Sequence, residues 1–146
     1  MTPETLARRY AAGPLVAWHE AGHAVIAHRL GYRVERVHVA YARDQGQTDI
    51  APAYDPLNRA LITLAGERAE RRSVSWLDGI EALGGGADDR RALQLALEEL
   101  DDWSEAELVE KVDDMLRDDW RALKRLARRL DDAHVLGGPE VAELLA

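Results

Sequence analysis

Cysteine is absent from the 146 residues, which excludes disulfides, thiolate metal sites and a cysteine nucleophile. No apolar run approaches the ~20 residues of a membrane-spanning helix. The start of the chain interleaves Glu4, Arg8 and Arg9 and so has no apolar leader core. A cytoplasmic protein with no membrane partner is therefore the expectation. A basic excess is also missing: 27 acidic residues stand against 19 basic ones, net −8, which argues against a nucleic-acid-binding surface. Lysine is confined to Lys111 and Lys124, read as codon bias rather than function. Neither lysine lies in a GxxxxGKS/T phosphate loop, so the chain has no nucleotide-phosphate cradle of that kind. What is present, 47% hydrophobic and 32% charged residues, fits a single folded domain over 1–146 with a sizeable core.

The patterning predicts a mainly α protein with a small β-hairpin or sheet (α+β). A short helix is expected over 3–12, opened by Thr2 and Pro3. From Leu15 to Leu30 the residues are apolar almost all round, so that helix should be buried, with Gly31 as its stop. Val34 to Tyr41 alternates as a half-buried strand does. Asp44-Gln45-Gly46 can turn the chain into a second strand from Gln47 to Ala51. Asp55 and Pro56 open a helix running to about Arg72, with Leu57, Leu61, Leu64 and Ala65 inward. Segment 73–87 reads as irregular and ends in Gly84-Gly85-Gly86. A helix from Asp88 or Asp89 to Leu100 follows, with Ala92, Leu93, Ala96, Leu97 and Leu100 inward. Ser104-x-x-Glu107 is a capping-box signature. It opens a predicted long helix reaching about Asp132 along Leu108, Val112, Leu116, Leu123, Leu126 and Leu130.

The buried helix carries His19-Glu20-Ala21-Gly22-His23, an HExxH pattern. Side chains four apart share one helical face, so both imidazoles can reach one ion at ~2.0–2.1 Å. Glu20 stands beside that face, placed to act as general base on a metal-activated water during attack on a peptide carbonyl. The setting sharpens the motif, because an unpaired carboxylate in an apolar helix costs several kcal/mol. Gly22 in mid-helix costs ~1 kcal/mol against alanine, tolerable where another chain segment approaches closely. The competing reading is two core histidines held by hydrogen bonds with Glu20 in an ion pair.

Catalytic zinc takes three protein ligands plus a water. The extended metzincin pattern would place Gly and His where Ile26 and Arg29 stand, which excludes that class. His28 falls on the opposite face from His19, and His38 and His134 are isolated histidines. The acidic candidates are Glu67 and Glu70 on the second strong helix, and Asp88 and Asp89 at the start of the third. Position alone makes an Asp there an N-cap, a role compatible with ligation because a helix N-terminus favours the ionised carboxylate.

His19 to Ala24, HEAGHA, resembles the peptidase domain of the FtsH-type, AAA-linked zinc metalloproteases. The similarity extends to Gly66–Glu70, which is similar to that family's Gly-Arg-Ala-Ala-Glu, and to Gly84–Asp88, similar to its Gly-Ala-Ser-Asn-Asp. Leu126 to Leu144, with Gly138-Pro139-Glu140-Val141, is similar to the family's closing helix, turn and helix. The resemblance covers roughly residues 14–146, with HEAGHA its one highly specific stretch. It implies a zincin-like active-site helix packed in a helical bundle, and one Zn2+ per chain on His19, His23 and Asp88. It also implies Glu20 as catalytic base and Glu70 as a nearby carboxylate orienting the site. Asp89 is the reserve third ligand, as Glu70 is an alternative one. The strand carrying Val37, Val39 and Tyr41 becomes the edge that pairs with an extended polypeptide substrate. The family also carries an AAA ATPase domain and a membrane anchor, which these residues do not contain. The analogy then leaves a self-assembled homo-oligomeric ring and a separately encoded AAA ATPase as partners.

Function is accordingly expected to be ATP-independent zinc endopeptidase activity on unstructured polypeptide. The alternative is a catalytically silent, zinc-containing binding or regulatory module of the same fold. A third class uses the amphipathic stretch 104–131 as a dimer seam. Two histidines with a carboxylate would also accept cobalt, manganese or iron, so zinc rests on the motif and the resemblance.

Overall fold

A computed structural model describes residues 2–3, 15–43, 45–52, 55–75 and 87–146. The helix expected over 3–12 and the glycine triplet fall almost wholly outside the described residues. Helix α1 (Leu15–Arg29) is buried along its length except at Val16, His28 and Arg29. It stops where expected. Gly31 takes φ 90°, the Gly31 N–H donates to the His28 carbonyl and the Tyr32 N–H to that of Ala27. That is the Schellman arrangement, which satisfies the last carbonyls of a helix.

Strands β1 (Val34–Ala40) and β2 (Gln45–Ile50) form the expected antiparallel hairpin, joined through a short 3-10 turn at Tyr41–Arg43. Gly46, expected in the turn, lies within β2 opposite Val39. A third strand, β3 (Val135–Gly137), pairs with Arg36–His38 on the other side of β1, giving the order β2-β1-β3. β1 is therefore the central strand, and its backbone is paired on both sides. Val37 and Val39 are buried in the core, and the Tyr41 hydroxyl donates to Asp131 at 2.6 Å. The expectation that β1 is a substrate edge fails for that reason: among the described strands the open edges belong to β2 and β3.

Helix α2 (Pro56–Ser73) starts as predicted, with Pro56 at its first turn and the Asp55 carboxylate accepting from the Leu57 N–H at 3.0 Å. It crosses α1 through small residues. A β-carbon on Gly22 would lie 2.7 Å from that of Ala69 and would also clash with the Ala65 carbonyl. Gly22 thus serves the close approach that its cost in mid-helix suggested.

Helix α3 (Ala87–Glu98) turns Leu93 and Ala96 inward while Ala92 is exposed. The predicted long helix is two helices, α4 (Glu105–Asp118) and α5 (Trp120–Ala133), meeting at Asp119. Ser104 and Glu107 form the capping box, with bonds of 3.1 and 3.0 Å. At the break Arg29, from the end of α1, donates to the Met115 carbonyl and to Asp119 Oδ2, both at 3.3 Å. A cation from another helix thus serves the joint, which periodicity within the segment cannot reveal. Leu108, Val112, Leu116, Leu123, Leu126 and Leu130 are all fully buried in the chain's own core. That stripe is not available as a dimer seam. Helix α6 (Gly138–Leu145) closes the described fold, and Trp18 stacks on Trp120 with ring centroids 5.3 Å apart. No helix among the described residues is long and apolar enough to cross a membrane.

Candidate metal centre

The α1–α2 crossing brings the chemistry together. His19, Glu20 and His23 are all buried on α1, and Glu70 is buried on α2. His23 Nδ1 donates to the Ile62 carbonyl at 2.7 Å, which fixes the ring and turns Nε2 inward. His19 Nδ1 is hydrogen-bonded to Glu70, so its Nε2 is turned to the same place. The two Nε2 atoms stand 3.0 Å apart, and Asp89 Oδ2 lies 2.8 Å from that of His19 and 3.2 Å from that of His23. Three ligand-type atoms from α1 and α3 thus face one point.

Asp88, the expected third ligand, is exposed, and Asp89 takes its place. Successive residues on a helix point ~100° apart, so only one of the doubled aspartates can face α1. Glu70 occupies the orienting position expected for it, behind His19. Glu67 pairs with Arg71 at 3.1 Å and takes no part in the cluster. His28 and His134 are exposed, and His38 lies on β1 with its Nδ1 buried and without a hydrogen-bond partner among the described residues.

Burial alone would lower the His19 imidazole, yet the bonds to Asp89 and Glu70, with the charges of Glu70 and Glu20 nearby, raise it to about 10. Burial would likewise raise Asp89, but the hydrogen bonds with His19 and His23 hold its carboxyl well below the usual carboxylate range. Without metal, a protonated His19 donates from both ring nitrogens, Nδ1 to Glu70 and Nε2 to Asp89.

These residues fit a divalent metal. Ligand atoms ~2.0–2.1 Å from a tetrahedral ion are about 3.3–3.4 Å apart, so the separations of 2.8–3.2 Å need only a small expansion. The floor of the site is Gly66 of α2, where a β-carbon would lie 2.6 Å from both Nε2 atoms. A glycine keeps the space in front of the two imidazoles open. The group His19, His23 and Asp89 can therefore hold a metal ion, with nitrogen and oxygen donors that suit zinc among other divalent metals.

Glu20 points to the sheet side of α1. The Thr48 hydroxyl, on β2, donates to Glu20 Oε1 at 2.7 Å and lies 3.1 Å from the Glu20 carbonyl oxygen. Among the described residues Glu20 has no salt bridge to a basic side chain. Thr48 and Gly46 are site residues that motif reading missed. Their only signal was a period-two pair on a strand facing the helix. No protein-family model and no curated protein matches the chain.

Proposed function

We propose that the chain is a zinc-dependent endopeptidase acting on extended polypeptide, with metal held by His19, His23 and Asp89. The observation that carries this reading is the burial of Glu20 on the metal-facing helix, with no Lys or Arg side chain paired to it among the described residues. A buried carboxylate held by a hydroxyl rather than by Arg or Lys is costly to the fold, and such groups are retained where they serve a site. The ligand set, its orienting Glu70 and the resemblance of HEAGHA to the FtsH-type peptidases support the same reading.

A zinc ion bound here would lower the pKa of water towards ~7 and polarise the scissile carbonyl. The chain's own residues do the rest. Glu70 and the Ile62 carbonyl keep both imidazoles in the tautomer that offers Nε2. Glu20 accepts the proton lost by the attacking water and passes it to the leaving amine. β2 carries Thr48 against Glu20 and is an outer strand among the described residues, which suits a substrate that pairs as an added strand.

The test is cleavage of an unfolded polypeptide by zinc-loaded protein against Glu20→Gln. Turnover should fall ~10²–10⁴-fold, with one zinc still bound per chain. Metal-loaded wild type that cleaves nothing would leave the alternative, a silent metal-containing binding module. Equal cleavage by Glu20→Gln would remove Glu20 from the mechanism.

A further inference from the structure

We propose that Gly46-x-Thr48 on β2 is a cradle for Glu20, with Thr48 the positioning residue of the base. The proposal rests on Glu20 being that base, and it adds what holds the carboxylate in place. Alternate residues of a strand share a face, so Gly46 and Thr48 look the same way, towards α1. They act on Glu20 in complementary ways. A β-carbon at position 46 would lie 2.6 Å from Glu20 Cγ, 3.1 Å from Cδ and 3.0 Å from the His38 carbonyl oxygen, so glycine makes room for the Glu20 side chain and for the strand beside it. Thr48 then fixes the end of that side chain through the 2.7 Å bond to Oε1. A hydroxyl has one proton to give, and the nearer carboxylate oxygen takes it in preference to the carbonyl at 3.1 Å.

The cradle is rigid because the sheet is. Gly46 is paired with Val39 and Thr48 with Val37, both buried residues of the central strand. Bonding to Oε1 leaves the second carboxylate oxygen for the proton that the mechanism assigns to Glu20. A threonine present only to satisfy a buried acid would not need the neighbouring glycine shaped to the same side chain.

Three variants test the proposal: Thr48→Val, which keeps the shape and removes the hydroxyl; Thr48→Ser, which restores it; and Gly46→Ala, which presses on Glu20 from the other end. In zinc-loaded protein Thr48→Val and Gly46→Ala should lower kcat on an unstructured peptide ~10–100-fold, the scale of a small misplacement of a reacting group. KM and zinc content should be unchanged, and Thr48→Ser should recover most of the loss. Crystal structures of metal-free wild type, Thr48→Val and Thr48→Ser supply a readout independent of turnover. The Glu20 carboxylate should leave its place in the valine variant and keep it in the serine variant. A carboxylate unmoved in Thr48→Val would overturn the cradle whatever the activity. Wild type without cleavage, but with Glu20 displaced in Thr48→Val, would overturn the peptidase reading and keep the cradle.

Discussion

The α1–α2 crossing and the α4–α5 face are both buried, and they are made of opposite materials. On the α4–α5 face, Leu108, Val112, Leu116, Leu123, Leu126 and Leu130 fill the interior with aliphatic side chains. At the crossing, Gly22, Ala65, Gly66 and Ala69 let two backbones approach, and the space beside them holds two imidazoles and two carboxylates. The first region gains from leaving water, at ~25 cal/mol per Å² of apolar surface. The second loses unless each polar atom finds a partner, and those partners include Glu70, the Ile62 carbonyl, Asp89 and Thr48. The contrast separates a region that holds the fold from one that holds chemistry.

Damage to each region in turn should produce opposite losses. Asp89→Ala should weaken zinc binding at least ~100-fold, more than loss of an orienting residue does. Asp88→Ala, at an exposed position, should change it only about twofold. Isothermal titration of both variants checks this, and equal losses would mean that the two aspartates share the metal. Leu123→Ala should do the reverse. It removes a fully buried side chain, at a cost of ~2–5 kcal/mol and a fall in Tm on the order of 10 °C, while zinc still binds one per chain. A Leu123→Ala protein that folds but loses zinc would show that the two regions are energetically one.

Much of this was legible in the sequence wherever the determinant is local. The polar residues of an apolar helix marked the site, Gly31 marked its end, and Asp55-Pro56 and Ser104-x-x-Glu107 marked two helix starts. What escaped depends on residues far along the chain. β3 becomes a strand only by pairing with Arg36–His38, and its addition makes β1 central rather than an edge. The joint at Asp119 is served by Arg29, which no reading of residues 104–132 contains. The third ligand is a different case, since its signal was present. Asp89 lies four residues before Leu93 and seven before Ala96, on the buried face. Asp88 lies four before Ala92 and seven before Leu95, both exposed. Helical phase favoured Asp89, whereas alignment to the resembled segment favoured Asp88.

A pH series sets the two regions apart most cleanly, because pH acts on only one of them. In the metal-free protein His19 is raised from its ordinary 6.5 to about 10. A raised folded value means that the proton stabilises the native state fully below pH 6.5, and that this stability drains away as pH rises towards 10. Metal needs the same nitrogen unprotonated, so zinc affinity should climb over that window, by up to tenfold per pH unit. Tm of the metal-free protein and zinc affinity should therefore move in opposite directions between pH 6.5 and pH 10. The drop in stability caused by Leu123→Ala should be nearly constant there, since no titrating group is lost with it. Zinc binding at pH 7 should release a proton, measurable by titration calorimetry in buffers of different ionisation enthalpy. Parallel rather than opposed trends would mean that the proton and the metal do not compete for His19, and that Glu70 and Asp89 do not hold the imidazole as the geometry implies.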